Sequence, residues 1–325
     1  MKAITQDRYG PAEVLELRDV ARPTIKDDEV LIEVRAAGVD PGVWHLMTGR
    51  PYMIRAMGFG VTKPKVAVRG RDVAGVVAAV GTRVTRFSPG DEVYGTSESG
   101  SFAEYATAPD KQLAHKPANA TFEQAAVTPI SGGTALQAVR DSGEVESGQQ
   151  VLVIGAAGGV GAFAVQIAKA TGAHVTGVCS TAKIDLVRSL GAADVIDYTR
   201  REVDQGGARY DVIIDTAGNR RLSLLRRAMT PKGTLVLVGG EHGGGPLLGG
   251  FDRQLRAPIA SLFVGQKLKA LVAKERAEDL EALTRLIESG DITPMVGRTY
   301  SLSAAADAIN YLAEGHAGGK VALTV

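Results

Sequence analysis

A single cysteine, Cys179, in 325 residues excludes any intrachain disulfide and favours a reducing, cytosolic setting. Charge of one sign is equally scarce: the formal net charge is +1 and the charges are scattered, which argues against a nucleic-acid or membrane-surface protein. The opening residues MKAITQDRYG offer neither a basic start nor an apolar stretch, so no secretion signal is expected and the protein is expected in the cytoplasm. One uncharged run, residues 151–168, is long enough to suggest a membrane span. Its glycines cluster at one end, β-branched residues fill its strand portions, and there is no second span or aromatic belt, so it reads as buried soluble structure. Two catalytic signatures are missing as well. ISGGTA lacks the G-x-S-x-G elbow of a hydrolase, and GAAGGVG does not continue into the lysine and hydroxyl residue of a phosphate-transfer loop. His115, His174, His242 and His316 show no metal-ligand spacing.

Glycine, by contrast, is abundant, and it is concentrated where it matters. Residues 151–178, VLVIGAAGGVGAFAVQIAKATGAHVTGV, read as strand, glycine-rich turn, helix and second strand. That order is the layout of a dinucleotide-binding βαβ unit. Gly158 lets the backbone approach a pyrophosphate, Gly161 lets helix and strand pack closely, and the amides of Gly159, Val160 and Gly161 at the helix start face negative charge. The first glycine of the usual fingerprint is Ala156 here.

The length suits two domains, each able to bury its own core. In the first third, short segments such as KAIT, VLIEVRAAGV, DVAGVVAAVG, DEVYG and FAEYATAP predict strands of a barrel-like or partly open β domain. Around Phe122 the pattern turns helical, in two pieces interrupted by Pro129 and the pair Gly132 and Gly133. Beyond residue 150 strands and helices alternate, which predicts a doubly wound parallel sheet with its ligand at the carboxyl ends of the strands. Residues 241–250 read as a loop, IASLFVGQ as a further strand, residues 277–290 as an amphipathic helix and KVALTV as a closing strand.

NAD-selective folds of this type carry a carboxylate about 20 residues beyond the glycine turn. Here that region holds Ser180, Thr181 and Lys183 and no acid before Asp185, so a phosphate would meet two hydroxyls and an ammonium. Ala217 with Gly218, and Val238 with Gly240, follow predicted strands and fall where strand ends face a cofactor; ordinary loop punctuation is the alternative for their glycines.

The segments AAGVDPGVWHLMTGR, GRDVAGVVAAVG, FSPGDEVYG, SGGTALQAV, GAAGGVG, STAKIDLVRSLGAADVIDY and HAGGKVALTV stand in one order along nearly the whole chain. In that order the chain resembles the medium-chain dehydrogenase/reductase superfamily, and within it the zinc-free quinone oxidoreductase branch. The resemblance implies an α/β fold in which a Rossmann domain, residues 123–265, is inserted in a GroES-like β-rich catalytic domain, residues 1–122 and 266–325. Where zinc alcohol dehydrogenases of the superfamily carry a cysteine and a His-Glu pair, this chain has Asp40, Arg71 and Asp72, so no metal site is expected. Without zinc to polarise a carbonyl, a conjugated acceptor is the more natural substrate, because its developing charge is spread onto an oxygen that hydrogen-bond donors can stabilise.

The same resemblance implies an NADPH-dependent reductase of quinones or α,β-unsaturated carbonyls, acting as a homodimer. It implies 2′-phosphate contacts from Lys183 and Tyr198, with Arg200 near enough in sequence to assist, and Thr134 near the nicotinamide. Phe263, Val264 and Gly265 are expected on the nicotinamide side. Asp40, Trp44, His45 and Tyr52 are the acceptor-facing candidates, His45 as proton or hydrogen-bond donor. Arg71 and Asp72 are expected to form an ion pair or to hold the cleft loop, with direct catalysis as the alternative, and Cys179 to be a buried core residue. A zinc-free carbonyl or alcohol oxidoreductase, and a non-catalytic NADPH-binding regulatory protein, are the alternatives.

Overall fold

The computed structural model describes residues 1–239, 251–315 and 318–325. The expected loop at 241–250, Gly240, His242 and His316 lie outside the described residues. Two compact units form, one from Met1–Gly133 with Glu275–Val325 and the other from Thr134–Lys274. Both boundaries fall later than the 122 and 265 expected from the sequence. The helix Phe122–Ala126 packs its Ala125 and Ala126 into the first unit's core with Ala36, Ala74, Tyr94 and Leu280. The strand Lys267–Ala270 joins the second unit's sheet.

The first unit is built on the long strand Glu29–Val39, which is buried almost throughout. It pairs antiparallel with Lys320–Thr324, Asp72–Val80 and Tyr105–Pro109. The sheet runs on through Glu92–Thr96 to Leu113–His115, and Val296–Ser301 pairs parallel with Lys320–Thr324 at its other end. Alternation along the central strand sends Val30, Ile32 and Val34 into a cluster with Val73, Val77 and Val93. Ala37 and Val39 join a second cluster with Met47, Ile309 and Leu323. Burial on both faces explains why VLIEVRAAGV reads as a nearly continuous apolar run. Tyr94 is fully buried, donates to Leu280 O at 2.6 Å, and burial pushes its hydroxyl pKa up.

The glycine pair does not interrupt the second helical piece. Helix Pro129–Leu136 runs through Gly132 and Gly133, and a Cβ on Gly132 would press on Thr128 Cγ2 at 3.1 Å and Leu283 Cδ1 at 3.2 Å. Close helix packing is therefore the reason for that glycine.

The second unit is a six-stranded sheet in the spatial order Asp194–Asp197, His174–Cys179, Gln150–Ile154, Tyr210–Asp215, Met229–Leu237, Lys267–Ala270. Every pairing is parallel, and the order is that of a doubly wound nucleotide-binding sheet. Its core gathers Leu152, Ile154, Ile213, Leu235 and Leu237 with Leu225 from a covering helix. Cys179 is buried and unpaired as expected, and burial raises its thiol pKa. One element differs from expectation. IASLFVGQ is not a strand: its first residues end helix Phe251–Ser261, and the strand begins only at Lys267. Among the described residues no helix is long and apolar enough to cross a membrane.

Candidate functional site

The strand order reverses between Gln150–Ile154 and its neighbour Tyr210–Asp215, which opens a crevice at their carboxyl ends. The glycine turn lies there. Gly155 has φ +80° and a Cβ on it would meet Thr216 Oγ1 at 2.5 Å, so the left-handed turn falls to Gly155. Ala156, at the fingerprint's first position, is instead buried and donates its N–H to Val178 O at 3.1 Å. A glycine one residue earlier than the pattern was the signal available. Helix Gly159–Ala170 starts from Gly158 with no side-chain cap, which leaves the first-turn amides of Gly159, Val160 and Gly161 for an anion.

Ser180, Lys183 and Tyr198 follow the carboxyl ends of two adjacent strands, His174–Cys179 and Asp194–Asp197. The Lys183 N–H bonds to Ser180 O at 2.9 Å and the Tyr198 N–H to Cys179 O at 3.1 Å. Tyr198 presents an exposed ring. Thr181 lies beside them in the chain, but its hydroxyl is committed: it donates to Asp197 Oδ2 at 2.5 Å. A hydroxyl has one proton, so Thr181 has none left for a phosphate. Asp197 is not among the residues expected from the sequence, because a ribose-binding acid follows strand His174–Cys179 and this one ends the next strand over.

Across the crevice the buried Asp215 accepts from Ala217 N at 3.2 Å and Gly218 N at 3.1 Å, and pairs with Arg253 at 2.7 Å. Asp215 O holds Val238 N at 3.0 Å, so Ala217 and Val238 flank one point at the strand ends. Thr134 is half-buried on helix Pro129–Leu136, and its hydroxyl makes no hydrogen bond among the described residues. Thr128 and Thr171, by contrast, bond back to the helices that precede them.

Phe263 and Val264 do not belong to this group. They precede strand Lys267–Ala270 and therefore lie at the amino ends of the sheet. Gln266 in the same turn donates to Arg226 O and Thr230 O, beside the start of strand Met229–Leu237. A strand of this length separates them from the glycine turn by more than 10 Å. The carboxyl end of that last strand is occupied by residues 271–273, where Leu271 N bonds to Leu237 O at 2.9 Å and Val272 is exposed.

In the first unit, Asp40 caps helix Pro41–Thr48, its Oδ1 accepting from Gly42 N at 2.7 Å. Its Oδ2 is buried without a partner among the described residues. The helix carries Trp44 and His45, whose rings meet edge-on at 5.2 Å. His45 Nδ1 lies 2.7 Å from Arg50 O. A carbonyl only accepts, so Nδ1 carries the proton in that bond. Arg55 donates to Gly49 O at 2.9 Å and sits over the rings of Tyr9 and Tyr52, which ties the exposed Tyr52 to the end of this helix.

Arg71 and Asp72 do not pair with each other. Successive residues near a strand point to opposite faces, and Arg71 pairs with Glu275 at 2.8 Å, which also accepts from Thr96 at 2.7 Å. Asp72, 0 % exposed, accepts from Ile130 N at 3.1 Å and lies 3.9 Å from the buried ammonium of Lys320. Burial raises its pKa well above the usual carboxylate value, against the opposing pull of Lys320. A carboxylate facing an ammonium, with a guanidinium next along the chain, does not fit a zinc ion. Among the described residues no group of three or more His, Cys, Asp or Glu side chains could hold a metal.

Residues 26–118 match the family described as alcohol dehydrogenase GroES-like domain, and residues 190–323 the family described as zinc-binding dehydrogenase. The 2-methylene-furan-3-one reductase of Solanum lycopersicum is 33% identical over 99% of this chain and 79% of its own length. The chloroplastic NADPH-dependent alkenal/one oxidoreductase of Arabidopsis thaliana is 35% identical over 99% of this chain and 78% of its own. Among solved structures, the quinone oxidoreductase of Coxiella burnetii superposes with a TM-score of 0.86 at 28% identity, covering 100% of this chain and 99% of that one. An uncapped helix behind a glycine turn, a six-stranded parallel sheet whose segment interrupts the β-rich unit in sequence, and relatives 33% and 35% identical over 99% of this chain lead to one assignment: the chain belongs to the quinone oxidoreductase branch of the medium-chain dehydrogenase/reductase superfamily.

Proposed function

We propose that the chain is an NADPH-dependent oxidoreductase that reduces quinones or α,β-unsaturated carbonyls without a metal ion. The observation that carries this reading is the hydroxyl-and-ammonium group of Ser180, Lys183 and Tyr198 at the strand end where NAD-selective folds place a free carboxylate. NADPH supplies the hydride when bound. The first-turn amides of Gly159, Val160 and Gly161 hold the diphosphate, Ser180 and Lys183 donate to the 2′-phosphate, and Thr134, Ala217 and Val238 line the remainder of the nucleotide. In the other unit Trp44, His45 and Tyr52 contact the acceptor, and Asp40 fixes the helix that carries the first two. The relatives named for alkenal/one and quinone reduction support the acceptor class. The buried, unpaired Cys179 supports a cytoplasmic setting.

Turnover with a chelator present tests both halves of the proposal. Enones and quinones are expected to be reduced with NADPH at rates unaffected by the chelator, and plain aldehydes and secondary alcohols at least about 100-fold more slowly in kcat/KM, a difference of about 3 kcal/mol in transition-state stabilisation. Equal turnover of aldehydes, or loss of activity on chelation, overturns the reading.

A homodimer through the second unit is part of the same proposal. Among the described residues strand Lys267–Ala270 is an open edge of the sheet, and its covering helix exposes Leu255 and Ile259, followed by Leu262 at 80 % and Phe263 at 82 %. An apolar stripe beside unpaired strand groups suits a second copy related by a two-fold axis. Leu255→Glu with Leu262→Glu is expected to convert a sedimenting dimer to monomer; a wild-type protein that sediments as monomer removes this part.

A further inference from the structure

We propose that Asp197 is a positioning residue that shapes the 2′-phosphate subsite and so sets the preference for NADPH over NADH. This rests on the cofactor reading above. Asp197 ends strand Asp194–Asp197 in register with Cys179, the last residue of strand His174–Cys179. Neighbouring strands lie about 4.8 Å apart, so the carboxylate emerges beside Ser180 and Thr181. Both of its oxygens are occupied from within the protein. Oδ2 accepts from Thr181 Oγ1 at 2.5 Å and lies 3.5 Å from Arg200 Nε, while Oδ1 accepts from Thr199 N at 2.9 Å and Thr199 Oγ1 at 2.7 Å. The bonds from Thr181 and Thr199 hold the carboxyl pKa below its usual value, so the group stays charged at neutral pH.

An acid near the adenosine ribose would ordinarily bind the 2′-hydroxyl and repel a 2′-phosphate. Here its acceptor sites are turned inward and matched with donors, so it cannot take the ribose. What it does instead follows from the partners. Thr181 is the residue after Ser180, and Thr199 the residue after Tyr198. The two hydroxyls lie 3.1 Å from each other, both with their protons given to the carboxylate, so Asp197 is what joins the loops. One buried carboxylate thus clamps both chain segments, and the main-chain bonds from Lys183 to Ser180 and from Tyr198 to Cys179 carry that constraint to all three phosphate-facing residues. Charge-assisted hydrogen bonds are the strong ones available for such a clamp.

The test is steady-state kinetics with each coenzyme for wild type, Asp197→Ala, Asp197→Asn and Thr181→Val, with thermal midpoints alongside. Asp197→Ala is expected to raise KM for NADPH roughly tenfold, the scale of one lost charge-assisted contact, with kcat and the KM for NADH within about twofold. Asp197→Asn keeps one acceptor oxygen and is expected to fall between, as is Thr181→Val, which breaks the clamp from the other side. A KM for NADPH that is unchanged or lowered in all three variants overturns the proposal, and so does a parallel rise for both coenzymes. If wild type shows no preference for NADPH, the cofactor reading fails and the proposal with it; a wild-type preference that survives all three substitutions removes the proposal alone.

Discussion

Gly161→Ala is expected to abolish measurable nucleotide binding and to lower the thermal midpoint. A Cβ at that position falls on the carbonyl oxygen of Gly155, with Gly155 C at 2.8 Å and Ala156 Cα at 2.9 Å. All three atoms are main chain, so no side chain can swing aside. The turn cannot retreat either. Ala156 N is bonded to Val178 O at 3.1 Å, and Ile154 O receives both Thr216 N at 3.1 Å and Thr216 Oγ1 at 2.8 Å. The helix must therefore move off the sheet, and overpacking of this kind costs about 1 to 3 kcal/mol. The same movement withdraws the first-turn amides from the diphosphate. Losing two hydrogen bonds to a charged group, each worth about 1.5 to 3 kcal/mol, weakens binding by roughly 100-fold or more. Calorimetric titration with NADPH and a thermal melt measure the two effects. Gly133→Ala is the control: a Cβ there meets nothing within 4 Å, and a helical Gly→Ala change is expected to be neutral or stabilising by up to about 1 kcal/mol. Wild-type affinity in Gly161→Ala would show that the phosphate is held elsewhere.

Lys183→Ala is expected to produce the largest change in selectivity. Lys183 caps the start of the short helix Ile184–Ser189, half-buried, with its main-chain N–H bonded to Ser180 O. Its removal is expected to raise KM for NADPH by roughly 10- to 100-fold, the equivalent of about 1.5 to 3 kcal/mol for a hydrogen bond to a charged group, while KM for NADH changes little. Added salt should weaken NADPH binding in wild type more than in the variant, because the exposed part of the interaction is screened. A ratio of the two KM values equal to that of wild type would remove Lys183 from the 2′-phosphate subsite.

The outline of the nucleotide-binding unit was legible because its elements are long relative to their turns and switch cleanly between periods of 2 and 3.6. VLVI, VIID and LVLV are short β-branched runs closed by Gly or Thr turns and read as strands covered on both faces, and helix Gly159–Ala170 ends within one residue of where its pattern stops. The region 251–270 was not legible. An apolar stretch such as IASLFV serves a helix end or a strand equally well, and Pro258 is accommodated inside helix Phe251–Ser261. The resulting shift put Phe263 and Val264 at the wrong end of the sheet, since the end a residue occupies depends on where the preceding helix stops.

Composition and local pattern alone pointed to the α/β class, the alternation of strands and helices, the glycine turn and the segment holding Ser180 and Lys183, all of which are written in residues a few positions apart along the chain. Tertiary structure decided which groups remain available for chemistry. Thr181 is spent on Asp197, Arg71 answers to Glu275 rather than to Asp72, and Gly155 rather than its neighbour makes the turn. In each case the deciding partner lies 16 or more residues away in sequence, as Arg71 and Glu275 do at 204. Such pairings are set by how strands line up and what burial leaves unsatisfied, and these are properties of the packed chain that no local pattern encodes.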